Sequence, residues 1–334
     1  MAKLTDKPPD EIGAELNELR AEMDRVIPAK LLDRNLLIAT WNIRNLSEVT
    51  ETWISGPENK HERDLHALRI ISEILSRFDV IAIQKVRHGG QALQLLMEGL
   101  GEQWGLMITD AARGSLGFNE RLAFIFDTRK VLPLGLAGQL VLSEEELRSA
   151  GDTFLARQFA RPPYIAGFQC LGQHFTLVNL HIVYGPNQSE RVPEIRTLAR
   201  WLDQWAKKSS IWDKNLIVLG QFNLDAEGGP LYQAFTSTGL TIPEDLRRTP
   251  SLFTSNSDAP FPLYDQIAWF TNHGAAEFSL TYLRGGNFDF SKTAMRSRRM
   301  SKRDLSYSIS DHLPLWAEIS VRRSILRADN PSDE

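Results

Sequence analysis

The sequence predicts a single-domain α/β protein, on three observations. Seven short apolar runs have the length of buried strands, and stretches between them repeat apolar residues with the period of a helix. No linker rich in Pro, Gly or Ser interrupts the chain. A chain of 334 residues holds either one large domain or two ordinary ones. Because strands and helices interleave throughout, one domain is the simplest interpretation.

The first predicted element is an amphipathic helix over 10–26. Its apolar residues recur at steps of four, three, four and three, which places them on one helical face: Ile12, Leu16, Leu19, Met23 and Val26. We assign residues 1–34 to this helix and a linker. We expect the helix to pack on the body of the protein, and the alternative is that 10–26 mediates self-association or binds a partner protein.

Seven predicted strands follow, and their nearly continuous apolar character indicates that both faces are covered. They span 36–43, 79–86, 121–127, 175–182, 215–222, 264–270 and 313–319. Apolar periodicity predicts further helices over 62–77 and 189–206. Ser143 with Glu146 three residues later predicts a capping box at the start of another helix.

Composition and charge narrow the class of protein. A net charge of -4 and a pI near 6.0 argue against a general nucleic-acid coat protein, so any phosphate binding must be local. The single cysteine, Cys170, excludes an intrachain disulfide and a zinc-thiolate cluster, and we expect it to be a small buried strand residue. No secretory signal and no membrane-spanning apolar stretch is found, so we expect a cytoplasmic protein without membrane insertion.

Polar residues end several of the apolar strands, at positions where a buried strand would prefer Val or Ile. They are Asn42, Gln84, Lys85, His181, Gln221, Asn223, Asp265, Asp311 and His312. Each buried polar side chain needs a partner, so we expect these strand ends to converge. Amides donate to phosphate oxygens, and a carboxylate can orient an imidazole that moves a proton. The set therefore predicts a site that holds a phosphate group.

The same segments, in the same order, resemble the endonuclease/exonuclease/phosphatase superfamily, which includes pancreatic deoxyribonuclease, abasic-site endonucleases, sphingomyelinases and inositol polyphosphate 5-phosphatases. The motifs are TWNIRNL, IQKVR, LHIVYG, LGQFN, YDQI and SDHLPLW. The resemblance covers 36–319 and defines a domain over 35–322, followed by a tail over 323–334 that we expect to be flexible. It implies a four-layered, deoxyribonuclease I-like α/β sandwich of two packed mixed sheets flanked by helices, with the active site at one rim.

The resemblance also implies a role for each metal-binding or phosphate-binding position. Asn42 would hold the metal or the scissile phosphate, and Asp311 would help to bind the divalent ion, Mg²⁺ or Mn²⁺. His181 would contact a phosphate oxygen, and Asn223 would orient the phosphate. The implied substrate is nucleic acid or another phosphodiester.

Catalysis and further substrate contacts are implied for five more residues. His312 would act as a general base or stabilise the transition state, with Asp265 fixing its tautomer. Arg121 and Arg161 are candidate phosphate contacts. Arg161 lies in QFARPPYIAGF, which is similar to the deoxyribonuclease stretch whose Arg contacts a DNA phosphate. Together with Tyr264, a candidate substrate contact, this segment favours the nuclease branch.

Two positions depart from the family pattern. The family has Gln-Glu-Val where this chain has Lys85, and GDFN where it has Gln221. A carboxylate ligand for magnesium has become a cation, so metal binding is doubtful. Three interpretations stay open: hydrolysis that is abolished or strongly weakened, a metal-independent phosphodiesterase with Lys85 as the electrophile, and a binding module that docks an anionic partner.

A cluster of positive charges lies shortly before the last motif. It comprises Arg296, Arg298, Arg299, Lys302 and Arg303. In an acidic protein such a cluster could guide a nucleic-acid backbone toward the rim, and the alternative is an ordinary solvated loop.

Overall fold

The computed structural model describes residues 2–56, 62–87, 90–112, 119–149, 158–184, 188–207, 215–253, 262–271 and 278–321. Two mixed sheets of six strands pack face to face, with helices on their outer sides. This confirms the predicted four-layered α/β sandwich. The predicted tail over 323–334 lies outside the described residues.

The first sheet contains the strands with the Asn42 and His312 motifs. Its strands are β1 (Asn35–Leu46), β2 (Val80–Arg87), β3 (Trp104–Ile108), β4 (Glu120–Asp127), β11 (Thr281–Asn287) and β12 (Leu315–Ser320). They are ordered β11-β12-β1-β2-β4-β3, and β1 and β2 run parallel while the other pairs are antiparallel.

The second sheet repeats this arrangement. Its strands are β5 (Leu132–Gln139), β6 (Tyr164–Cys170), β7 (Gln173–His181), β8 (Leu216–Gln221), β9 (Leu240–Thr241) and β10 (Asp265–Phe270). The order is β5-β6-β7-β8-β10-β9, and only β7 and β8 are parallel among these paired strands. Cys170 ends β6 with its side chain buried, as predicted.

Side chains that alternate between the two faces of each strand divide the core into layers. Leu36 and Ile38 of β1 belong to the cluster between the sheets, and Leu37 and Ala39 belong to the cluster beneath the helices on the outer side. Successive strand residues point to opposite faces, so a strand covered on both sides must be apolar throughout. This explains why the central strands appear as continuous apolar runs in the sequence.

Eight helices cover the sheets in the described part of the chain. They are α1 (Asp10–Val26), α2 (Leu65–Leu75), α3 (Gln91–Leu100), α4 (Glu144–Ser149), α5 (Gln188–Ala206), α6 (Pro230–Thr236), α7 (Glu244–Arg247) and α8 (Lys302–Ser308). The capping box of α4 is present: Ser143 N donates to Glu146 Oε2 at 2.6 Å, and Glu146 N donates to Ser143 Oγ at 3.3 Å. None of the described helices has the length and apolarity needed to cross a membrane.

Helix α1 packs on the body of the protein, beside α2. Leu16, Leu19 and Met23 are buried in the core on the outer side of the first sheet. Glu15, also buried, accepts hydrogen bonds from Ser297 N and Oγ at 3.1 and 2.7 Å, and it lies 3.1 Å from Nε2 of His66. The apolar face that suggested self-association is therefore used inside this molecule.

The strand directions bring the predicted polar ends to one rim. Parallel β1 and β2 end at this rim, and so do parallel β7 and β8 in the other sheet. The antiparallel strands β4, β10 and β12 begin there. Residues at the carboxyl ends of some strands and at the amino ends of others therefore meet at one edge of the sandwich.

Candidate active site

His312 and Asp265 form a buried pair at the rim. His312 precedes β12 and Asp265 is the first residue of β10, and His312 Nδ1 lies 2.6 Å from Asp265 Oδ2. A carboxylate accepts the Nδ1 proton of a neutral imidazole, which leaves Nε2 with a free lone pair. Nε2 lies 3.4 Å from the side-chain nitrogen of Asn42. The pair can therefore accept a proton at Nε2.

A second histidine–carboxylate pair involves a residue that the sequence interpretation missed. Glu120, the first residue of β4, places Oε2 2.9 Å from His181 Nδ1 and 2.7 Å from Arg161 Nε. Burial lowers the pKa of His181 to about 4, against the hydrogen bond with Glu120, which raises it. His181 is therefore a neutral imidazole at physiological pH, with Nδ1 facing the Glu120 carboxylate at 2.9 Å.

Glu120 lines the cleft and its neighbour Arg121 does not, and the phosphate contact expected of Arg121 stays a prediction. Adjacent strand residues point to opposite faces, and Arg121 is not among the lining residues of the cleft between the two sheets. The strand direction was the signal that could have identified Glu120. An antiparallel strand begins at the rim where its parallel neighbours end, so its first residue joins the site.

Amide side chains form a continuous chain of hydrogen bonds across the rim. Asn42 Nδ2 donates to Gln221 Oε1, and Gln221 Nε2 donates to Asn223 Oδ1 at 2.7 Å. Asn223 Nδ2 in turn donates to the carbonyl oxygen of Ile182 at 2.7 Å. Gln221 therefore acts as both acceptor and donor between two predicted site residues. A carboxylate at this position could not donate to Asn223 Oδ1.

Lys85 projects from an irregularity in β2. The register between β2 and β4 shifts between Ile83 and Val86, and Lys85 has a left-handed backbone with φ of 62°. The side chain is half-buried and lines the cleft. Burial lowers the pKa of its ammonium, whereas attraction to the carboxylates of Asp311 and Glu120 opposes that shift.

Asp311, which the resemblance assigns to the divalent ion, lies beside an arginine. Its Oδ2 is 3.5 Å from Arg44 Nη1, and that nitrogen also donates to Ser306 Oγ at 2.9 Å. The Arg44 guanidinium stacks over the ring of Tyr307 at 4.1 Å. Asp311 is therefore already close to two cationic side chains, Arg44 and Lys85.

The cleft at this rim has a volume of about 850 Å³ and is lined by more positive than negative side chains. Five of its lining residues are basic: Arg44, Arg63, Lys85, Arg87 and Arg161. Three are acidic: Glu48, Glu62 and Glu120. The local charge therefore favours an anionic ligand, in a protein whose net charge is -4.

Two further residues singled out from the sequence, Gln84 and Tyr264, lie in other positions. Gln84 is fully buried and donates to Asn179 Oδ1 at 2.7 Å and Thr40 Oγ1 at 3.0 Å, so it links the two sheets beneath the cleft. Tyr264 is half-buried next to Tyr184, with ring centroids 6.3 Å apart.

The basic cluster near α8 is partly neutralised within the fold. Arg298 Nη1 lies 2.6 Å from Asp64 Oδ2, and Arg296 Nη1 lies 3.6 Å from Glu18 Oε2. The side chains of Arg299, Lys302 and Arg303 are exposed. Arg298 is therefore the member of the cluster that is least available for contact with a polyanion.

The donor set of the site does not fit a magnesium ion. Within the described ranges, no three His, Cys, Asp or Glu side chains are grouped as metal ligands. Glu120 is engaged by His181 and Arg161, and the ammonium of Lys85 occupies the same cleft. Magnesium prefers carboxylate and other oxygen ligands, and an ammonium supplies only donors.

Comparison with known proteins identifies a sequence relative. No family model matches the chain. A deoxyribonuclease from Thioalkalivibrio sp. (strain K90mix) is 31% identical over 195 residues, which cover 57% of this chain and 46% of that protein. The match therefore spans less than half of the relative's length.

Solved structures match over most of the chain. An endonuclease/exonuclease/phosphatase family protein from Bacteroides thetaiotaomicron has a TM-score of 0.56 at 18% identity, covering 86% of this chain and 95% of that one. TDP2 from D. rerio, complexed with a single-strand DNA product, has a TM-score of 0.52 at 15% identity, covering 86% and 99%. Identities this low establish the fold and leave the substrate undecided. The chain therefore has the fold of the endonuclease/exonuclease/phosphatase proteins, as its strand-end motifs predict.

Proposed function

We propose that the cleft binds a phosphodiester of nucleic acid and that hydrolysis there is abolished or strongly weakened by Lys85 and Gln221. The observation that carries the proposal is the placement of Lys85, whose half-buried ammonium shares the cleft with Glu120 and is attracted to Asp311. A fixed positive charge in a partly desolvated cleft favours a phosphate. The deoxyribonuclease relative and the DNA-bound TDP2 neighbour support nucleic acid as the ligand.

The charge balance argues against a bound divalent ion. At an effective dielectric constant of 20, two unit charges 4 Å apart interact by about 4 kcal/mol, so a dication near Lys85 would be repelled by about 8 kcal/mol. The attraction of a carboxylate at this position would also be missing. Lys85 therefore neutralises the phosphate charge in place of a metal ion. The cleft then lacks a divalent cation that could act as a Lewis acid and activate the phosphodiester for hydrolysis.

A metal-independent phosphodiesterase is the second candidate function. It is favoured by the contact between His312 and Asp265, which leaves Nε2 of His312 able to accept a proton from water. The ammonium of Lys85 would then stabilise the charge that develops on the phosphoryl oxygens. His181, neutral because burial lowers its pKa to about 4, offers a second acceptor and no proton to the leaving group.

The proposal is tested by restoring the family residues. The natural chain and the Lys85→Glu, Gln221→Asp double variant are assayed on DNA, RNA and a bis-aryl phosphodiester, with Mg²⁺ or with a chelator. We expect magnesium-dependent hydrolysis in the double variant alone, and a rise in its melting temperature with Mg²⁺ that the natural chain lacks. A His312→Ala change in the double variant should remove the activity, which controls for a contaminating nuclease.

The other outcomes either assign a different function to the protein or overturn the proposal. Chelator-resistant hydrolysis by the natural chain would establish the metal-independent phosphodiesterase. Binding without turnover in both proteins would establish a docking module. Rapid magnesium-dependent hydrolysis by the natural chain, or no binding by either protein, would overturn the proposal. Lys7→Glu makes the same charge change as Lys85→Glu at a position outside the cleft, where the Lys7 side chain is 86% exposed.

A further inference from the structure

Tyr184 is an exposed aromatic residue at the edge of the cleft. It lies three residues after His181, beyond the end of β7, and it is one of the cleft-lining residues. Its exposed fraction is 66%, and it is the one aromatic among the exposed large hydrophobic residues of the described chain. An isolated exposed apolar residue needs no explanation, but an exposed ring at the mouth of a cationic cleft forms part of the surface that a ligand meets.

The ring of Tyr184 is supported by the residues that build the site. The guanidinium of Arg191 lies 5.1 Å from the ring centroid, and Arg191 Nη1 donates to the carbonyl oxygen of Asn223 at 2.8 Å. The ring of Tyr264 lies 6.3 Å away at an interplanar angle of 59°. Burial and the adjacent Tyr184 raise the pKa of Tyr264, and the two side chains are hydrogen-bonded. The ring is therefore held in place by its neighbours while most of its surface stays open to solvent.

A preorganised aromatic ring beside a cationic cleft fits a ligand with both a flat face and a phosphate. Lys85 and Arg161 supply positive charge in the cleft, and Tyr184 supplies a planar apolar surface at its edge. We propose that Tyr184 is a stacking platform for an unpaired base of a nucleic-acid strand whose backbone phosphates lie in the cleft. This inference rests on the proposed function and adds the form of the substrate, a single strand.

Duplex DNA is disfavoured by the same geometry. Paired bases in the interior of a duplex stack on one another and present no free face to a side chain, whereas the bases of a single strand stack readily on aromatic residues. Stacking depends little on base identity, because every base has a π face. Tyr184 should therefore favour single strands over duplexes with little sequence preference.

The test compares strands with and without bases. Binding of a fluorescent single-stranded oligonucleotide, an abasic strand of the same length and a blunt duplex is measured with chelator present at one salt concentration. We expect Tyr184→Ala to weaken binding of the base-containing strand by roughly 5-fold to 150-fold, and to leave the abasic strand and the duplex unchanged. Tyr184→Phe keeps the ring and its contact with Arg191 but loses the hydrogen bond to Tyr264, so it should retain most of the affinity that Tyr184→Ala loses.

Controls separate this inference from the proposed function. Leu283→Ala removes an exposed apolar side chain that does not line the cleft, and it should alter no affinity. Melting temperatures establish that the Tyr184 variants are folded, since exposed substitutions shift stability little. If the natural chain binds both strands and Tyr184→Ala weakens neither, or weakens both equally, stacking is refuted while the phosphate cleft stands. If the natural chain binds no strand, both proposals fail.

Discussion

Glu194 offers a direct test of the electrostatics behind the cleft. This glutamate of α5 is only 6% exposed. Burial raises its pKa from 4.5 to about 7, against the attraction of Arg161 and Arg191, which lowers it. Arg161 interacts electrostatically with both Glu194 and Glu120, so the charge state of Glu194 affects the arginine that is paired with Glu120 in the cleft.

The raised pKa of Glu194 sets the direction in which its contribution to the free energy of unfolding changes with pH. The folded protein binds the Glu194 proton more tightly than the unfolded chain does, so the associated stability is fully present below pH 4.5 and is lost as the pH rises through 7. At 1.36 kcal/mol for each pKa unit, the shift corresponds to about 3 kcal/mol. Glu194→Gln carries no titrating group. The unfolding free energy of the variant minus that of the natural chain should therefore rise by about 3 kcal/mol between pH 4.5 and pH 8.

Urea denaturation at several pH values from 4.5 to 8 measures this difference. His181 acts with the opposite sign, since burial lowers its pKa from 6.5 to about 4 and its stability is lost as the pH falls through that range. That contribution is common to both proteins and cancels in the difference. Ile195→Val, at the adjoining buried position, changes no charge and should differ from the natural chain by a constant amount. A difference for Glu194→Gln that is flat, or that falls as the pH rises, would refute the assigned raised pKa.

Three further changes test the packing that supports the site. Gly220→Ala should destabilise the protein by about 3 kcal/mol or more, because at φ 133° a Cβ would lie 2.2 Å from the Leu180 carbonyl oxygen; an unchanged melting temperature would contradict this. Asp79→Asn should cost about 3–5 kcal/mol in urea denaturation, since it leaves Lys130, 2.8 Å away, buried without its counter-ion; a Lys130→Met second change should restore much of the loss. Leu19→Ala should lower the free energy of unfolding by about 2–5 kcal/mol, because it leaves a cavity in the core under α1. A negligible loss would mean that the packing of α1 adds nothing to global stability.

Seven of the twelve strands in the described chain were predictable from local composition, and the other five, which include the buried interior strand β6, were not. All seven apolar runs form strands, because a strand covered on both faces must be apolar along its whole length. β5 (Leu132–Gln139) is a mostly exposed edge strand and β11 (Thr281–Asn287) is a partly exposed one, and each has two glycines, so nothing in their composition distinguishes them from loops. Their backbone is ordered by pairing with a neighbouring strand, which local sequence does not encode.

The sequence by itself determined which polar side chains stand at the ends of buried strands, since a polar residue interrupting an apolar run is visible without a structure. Tertiary structure decided which of them meet. It brought His312 to 2.6 Å from Asp265, added Glu120 to the cleft, and made Gln221 a hydrogen-bonded link between two amides. Contacts of this kind depend on strand direction and register across residues far apart in the chain, and those are fixed only when the two sheets pack together.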